Sequence, residues 1–99
     1  MEFTKETLYG RGELACIVNA AIEVIDLKIP KLLVASRSEI NKALTSIGFE
    51  YRPSFTAGDQ AIQFLKMIEK MDLSEDLKKK VLKVADQKLK HFKTYCKLI

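Results

Sequence analysis

The sequence predicts an all-α fold, a compact bundle of four to six helices with a helix-turn-helix-like segment, in a single helical domain over residues 1–99. Three observations predict it. Apolar residues recur at spacings of three and four along most of the chain, the period of one helix face. Hydroxyl residues and glycines stand where helix caps and stops belong. The one stretch of apolar–polar alternation, Phe49 to Tyr51, meets Pro53 before it can make a strand. Composition agrees: 47% apolar and 30% charged residues are too apolar a mixture for disorder. A chain of this size buries roughly two-thirds of its unfolded surface, so one core suffices without staples.

Met1 to Arg11 reads as a lead-in, where Thr4 caps a short helix through Leu8 and Gly10 and Gly12 make continuation costly. From Glu13, the residues Leu14, Ala15, Ile17, Val18, Ala21, Ile22, Val24 and Ile25 cover nearly every side of a helical wheel. A helix apolar all round is the expected centre of a bundle. Pro30 suits the first turn of a short helix to about Ala35, with Leu32, Leu33 and Val34 inward. Ser36-Arg37-Ser38-Glu39 has the form of a capping box. The helix it opens turns Ile40, Ala43, Leu44 and Ile47 inward, and Gly48 supplies a left-handed stop.

Residues 49–55 read as irregular, with Phe49 and Phe55 plugging the bundle. Tyr51 stays open between shielding the edge of the bundle and belonging to a wing. Thr56 or Ser54 caps the next helix, whose inward stripe is Ala61, Phe64, Leu65, Ile68 and Met71. Asp72-Leu73 ends it and Ser74 caps a long final helix running toward Leu98. That helix gathers Leu77, Val81, Val84, Ala85, Leu89, Phe92 and Cys96 on one side and its lysines on the other.

The net charge of +4 is unevenly spread: residues 77–99 carry a surplus of seven positive charges, and residues 1–76 a surplus of three negative ones. A basic stripe of this kind is either a solvated helix face or an attractor for polyanions. No catalytic site is expected. The single His91 lies among Lys90 and Lys93, and Gly10-Arg11-Gly12 is too short for a phosphate loop. Cys16 and Cys96 are eighty residues apart and read as buried free thiols in a reduced compartment. No metal site and no cofactor are expected, because zinc requires about four ligands at short spacings. The apolar runs fall short of the ~20 residues that span a bilayer. A cytoplasmic protein with no signal peptide is expected, a membrane partner being a lesser alternative through attachment of the last helix to a lipid surface.

The segment LLVASRSEINKALTSIGFEYR, Leu32 to Arg52, carries a recognisable form. On Leu33, Ser36, Ile40, Leu44 and Gly48 it resembles the second half of a helix-turn-helix in phage-type transcriptional regulators. The resemblance covers about twenty residues and departs from the pattern at Val34, where a small residue is usual, and at Pro30. It implies a DNA-binding regulator of transcription whose recognition helix meets duplex DNA. With the apolar stripe packed inward, Ser38, Asn41, Lys42 and Thr45 point outward, where Asn41 can pair with adenine and Lys42 or Arg37 with guanine or phosphate. Arg52 reaches a minor groove or phosphate, and Lys78, Lys79, Lys83 and Lys90 add phosphate contacts. A monomer offers little surface for tight reading, so a homodimer with two half-sites is expected.

A second resemblance runs over most of the chain from about Ile17. The helix order, with Arg37, Ile40, Leu44, Ile47 and Gly48 at its centre, is similar to the T4-type phage anti-sigma family AsiA, although the basic last helix departs from it. That resemblance implies an all-α inhibitor binding a protein of the transcription machinery or another host factor, without catalysis. Its candidate anchors are Ile17, Val18, Ile22 and Ile25, whose alternative is plain core. The DNA reading carries a stability corollary: Asn41 and Lys42 lie on an exposed face, so replacing them alters stability by about 0.5 kcal/mol or less.

Overall fold

The computed structural model describes residues 2–98 and contains six α-helices and no strand among them. They are α1 (Lys5–Tyr9), α2 (Glu13–Asp26), α3 (Arg37–Ile47), α4 (Ala57–Lys70), α5 (Glu75–Leu89) and α6 (Lys93–Cys96). The all-α expectation holds. α2 is the hub, touching α1, α3, α4 and α5. Its buried residues Ala15, Ile17, Val18, Ala20, Ala21, Ile22, Val24 and Ile25 cover most of its circumference, which is why it takes four neighbours and leaves a narrow stripe, Cys16, Asn19, Glu23 and Asp26, to solvent. Ile17, Val18, Ile22 and Ile25 are therefore core, each at most 3% exposed, and none is free to anchor a partner.

Caps mark the helix starts as the sequence indicates. Thr4 and Thr56 form full capping boxes with Thr7 and Asp59, and Ser74 accepts from the Leu77 N–H. At α3 only half of the expected box forms. Ser36 Oγ accepts from the Glu39 N–H at 3.3 Å, while the Glu39 carboxylate takes the Ser36 hydroxyl instead of its backbone N–H. Gly48 (φ 83°) ends α3, with its N–H on Thr45 O and the Phe49 N–H on Leu44 O. This Schellman pairing needs a left-handed residue and drops Phe49 straight into the core beside Leu44. Gln60, fully buried, holds the loop after Phe49 by donating to Glu50 O at 3.0 Å.

The short Thr4-capped helix of the lead-in forms as α1, and it joins the core: Phe3, Thr7 and Leu8 are buried. Phe3 stacks on Phe49 at 5.4 Å and 7° and tilts against Tyr51, which settles Tyr51 as a half-buried shield. The helix proposed from Pro30 to Ala35 is one 3₁₀ turn, Leu32–Val34. Three residues in such a turn point roughly 120° apart, so Leu32 alone is buried while Leu33 and Val34 face outward.

The long final helix also breaks. Continued to Leu98 it would be about 36 Å long beside the ~21 Å of α2, leaving its last turns nothing to pack on. The chain instead turns at Lys90–Phe92, and α6 returns over α4 with Tyr95 edge-on to Phe64 at 6.3 Å. The changed register puts Tyr95 inside and Cys96 outside, correcting the expectation of a buried Cys96. Cys96 Sγ donates to Lys90 O at 2.9 Å, and so satisfies a carbonyl left free by the end of α5. Cys16 is half-buried.

Candidate interaction surfaces

α3 presents Ser38, Lys42, Thr45 and Ser46 to solvent, but not Asn41. Asn41 is 6% exposed, because the segment entering α1 runs across its flank. Asn41 Oδ1 accepts the Phe3 N–H at 2.6 Å, and Nδ2 donates to Phe3 O at 3.1 Å and Arg37 O at 3.0 Å. All the hydrogen-bonding capacity that adenine reading requires is committed to the fold. The cleft beside it is lined by Glu2 as well as Ser38, Lys42 and Thr45, so a carboxylate borders the face expected to meet phosphate.

The other residues of that expectation are dispersed. Arg52 Nε and Nη2 both donate to Glu50 Oε1, at 3.2 and 2.9 Å, so its charge is already countered on the surface. Arg37 is exposed at the start of α3. The Glu6 carboxyl is held below its ordinary pKa by a hydrogen bond to its own backbone and one to the Thr4 side chain, with smaller contributions from the charges of Lys5 and Arg37. Lys79 and Lys83 share the solvent face of α5 and Lys90 is the exposed residue that caps its end, whereas Lys78 borders a cleft with Ile68, Met71 and Leu73. His91 is exposed.

A feature the sequence reading missed lies between α2 and α3. Leu27, Ile29, Leu33 and Val34 are all exposed, Leu33 at 55% and Val34 at 84%. The backbone carrying them is tightly bonded. The Lys28 and Ile29 N–H groups both reach Ile25 O, at 2.9 and 2.8 Å, and the Leu33 N–H donates to Asp26 Oδ1 at 3.1 Å. Lys31 takes a left-handed conformation (φ 72°) that reverses the chain there. The result is an apolar tip on a preorganised loop, with the exposed cations Lys28, Lys31 and Arg37 around it. None of the three forms a salt bridge among the described residues. The sequence signal was present: three successive apolar residues in so short a turn cannot all face one core.

Among the described residues no three His, Cys, Asp or Glu side chains converge to hold a metal ion. No described helix is long and apolar enough to cross a membrane. Comparison with protein families, curated proteins and solved structures finds no match to this chain.

Proposed function

We propose that the chain is a small protein-binding module that docks its apolar tip, Leu27 to Val34, on an acidic and apolar segment of a partner protein. One observation carries this reading: Leu33 and Val34 are held outward by a hydrogen-bonded loop rather than lost from a core that lacks room. Clustered apolar side chains facing water on a rigid support mark an interaction site, and preorganisation lowers the entropy cost of docking. Lys28, Lys31 and Arg37 favour a partner with carboxylates flanking its apolar residues. This supports the protein-binding alternative with different anchors, since the residues of α2 are buried. Sequence reading of DNA by α3 has weaker support, because Asn41 is engaged by Phe3 and Glu2 borders the same face.

The test is a titration of the chain with a synthetic amphipathic helix of leucine and glutamate and with its glutamine counterpart. Binding of the acidic peptide, weakened in the glutamine peptide and lost in Val34→Asp, supports the tip. Equal binding by wild type and Val34→Asp would overturn it.

A further inference from the structure

We infer that the solvent face of α5 is a second, separate binding surface, for the phosphodiester backbone of nucleic acid. Val81, Ala85 and Leu89 set the buried seam of α5 against α2. Counting about 100° per residue, the positions opposite that seam are Asp76, Lys79 and Lys83, continued by the C-cap residue Lys90, with Lys80 and Gln87 along one margin. Lys79 and Lys83 are about 6 Å apart along the axis, and Lys83 and Lys90 about 10.5 Å. Three lysine positions therefore follow one edge of α5 and its cap. They form no salt bridge among the described residues, in contrast to Lys88, which pairs with Glu23 at 3.4 Å. Two carboxylates share the face: Asp76 at its N-terminal end and Asp86 between Lys83 and Lys90.

The character of the face selects the ligand. An interfacial membrane helix needs an apolar side to insert, and that of α5 is packed against α2. A protein partner needs apolar anchors, and Leu82, at the margin, is the only large apolar side chain of α5 that is exposed. Isolated surface ion pairs with such a partner would gain little. A nucleic-acid backbone differs, because each phosphate neutralised by lysine releases condensed counterions. A row of unpaired lysines bordered by a single exposed apolar side chain, Leu82, is sufficient for that, and it carries no sequence preference.

The experiment measures fluorescence anisotropy of a labelled random-sequence duplex with the full chain across a salt series. Wild type is expected to show a log–log slope of about −3, set by three to four phosphate contacts. The triple variant Lys79→Gln, Lys83→Gln, Lys90→Gln is expected to reduce it toward zero. Asp86→Asn is expected to tighten binding several-fold at low salt, and Val34→Asp to leave it unchanged, which separates this surface from the apolar tip. All these positions are exposed, and matched thermal melts confirm that each variant is folded. A salt-independent affinity, an unaltered slope in the triple variant, or tighter capture by phosphatidylserine vesicles than by duplex would each overturn the proposal.

Discussion

Asn41 and Phe3, 38 residues apart, are joined through both backbone polar groups of Phe3: Asn41 accepts from the Phe3 N–H and donates to its carbonyl oxygen. The amide thus acts as a short strand partner for the chain entering α1, and the Phe3 ring continues the contact by stacking on Phe49. A side chain on a predicted outward face has become the bolt that holds Phe3 to α3.

Asn41→Ala is expected to destabilise the fold by about 1–3 kcal/mol, because it leaves buried groups of Phe3 unpaired. Lys42→Ala, on the exposed side of the same helix, is expected to change stability by less than about 0.5 kcal/mol. Urea denaturation of both variants checks the contrast. Equal, small effects would mean that Asn41 does not hold the segment.

The apolar residues of α2 and of the tip are expected to behave in opposite ways. Ile17→Ala empties a fully buried position and should cost about 2–5 kcal/mol. Val34→Ser removes apolar surface already in water and should cost at most about 0.5 kcal/mol. Differential scanning calorimetry of the pair separates core from docking surface.

Lys31 has φ 72° without being glycine, a conformation that costs an L-residue roughly 1–2 kcal/mol. Lys31→Gly relieves that strain against a smaller loss of backbone entropy, so a gain of about 0.5–1 kcal/mol is expected. A lowered denaturation midpoint would show that the Lys31 side chain itself supports the loop.

Gly10 follows α1 so closely that an added Cβ would collide with the Glu6 carbonyl oxygen. Because backbone cannot yield as a flexible side chain does, Gly10→Ala should displace α1 and loosen the Phe3–Asn41 bonds. Amide hydrogen exchange is expected to quicken at Phe3 and Leu8 while the centre of α2 stays protected.

Burial raises the Tyr95 phenol above its ordinary 10.0, with smaller contributions from Asp86 and Cys96. The folded chain therefore keeps this proton to a higher pH than the unfolded chain does. The associated stability is fully present below the unfolded value and is lost as pH rises through the folded one. Denaturation midpoints measured upward from about pH 9 should fall more steeply in wild type than in Tyr95→Phe, which keeps the ring and lacks the titration. Parallel curves would remove Tyr95 from the alkaline transition.

Local chemistry made much of the fold legible. Thr4, Ser36, Thr56 and Ser74 cap helices and Gly48 stops one, because orphan amides and a left-handed residue are satisfied within a few residues of chain. The all-round apolar character of α2 likewise required a central position. Phe3 and Leu8 were also readable in principle, as the two halves of a hydrophobic staple around the Thr4 cap. The break at Lys90–Phe92 has no glycine or proline to announce it and follows from the finite length of the neighbouring helices.

The sequence by itself determined the helical class, the starts of the helices capped by Thr4, Ser36, Thr56 and Ser74, and the identity of the central helix, since those depend on periodicity and on hydrogen bonds within a turn or two. Tertiary structure decided which polar residue would be covered and which apolar ones would be left out. Asn41 became internal only because a segment 38 residues away needed its backbone paired, and Val34 became external only because a three-residue turn offers the core a single side. Helical periodicity assigns a face, but long-range packing determines what meets it.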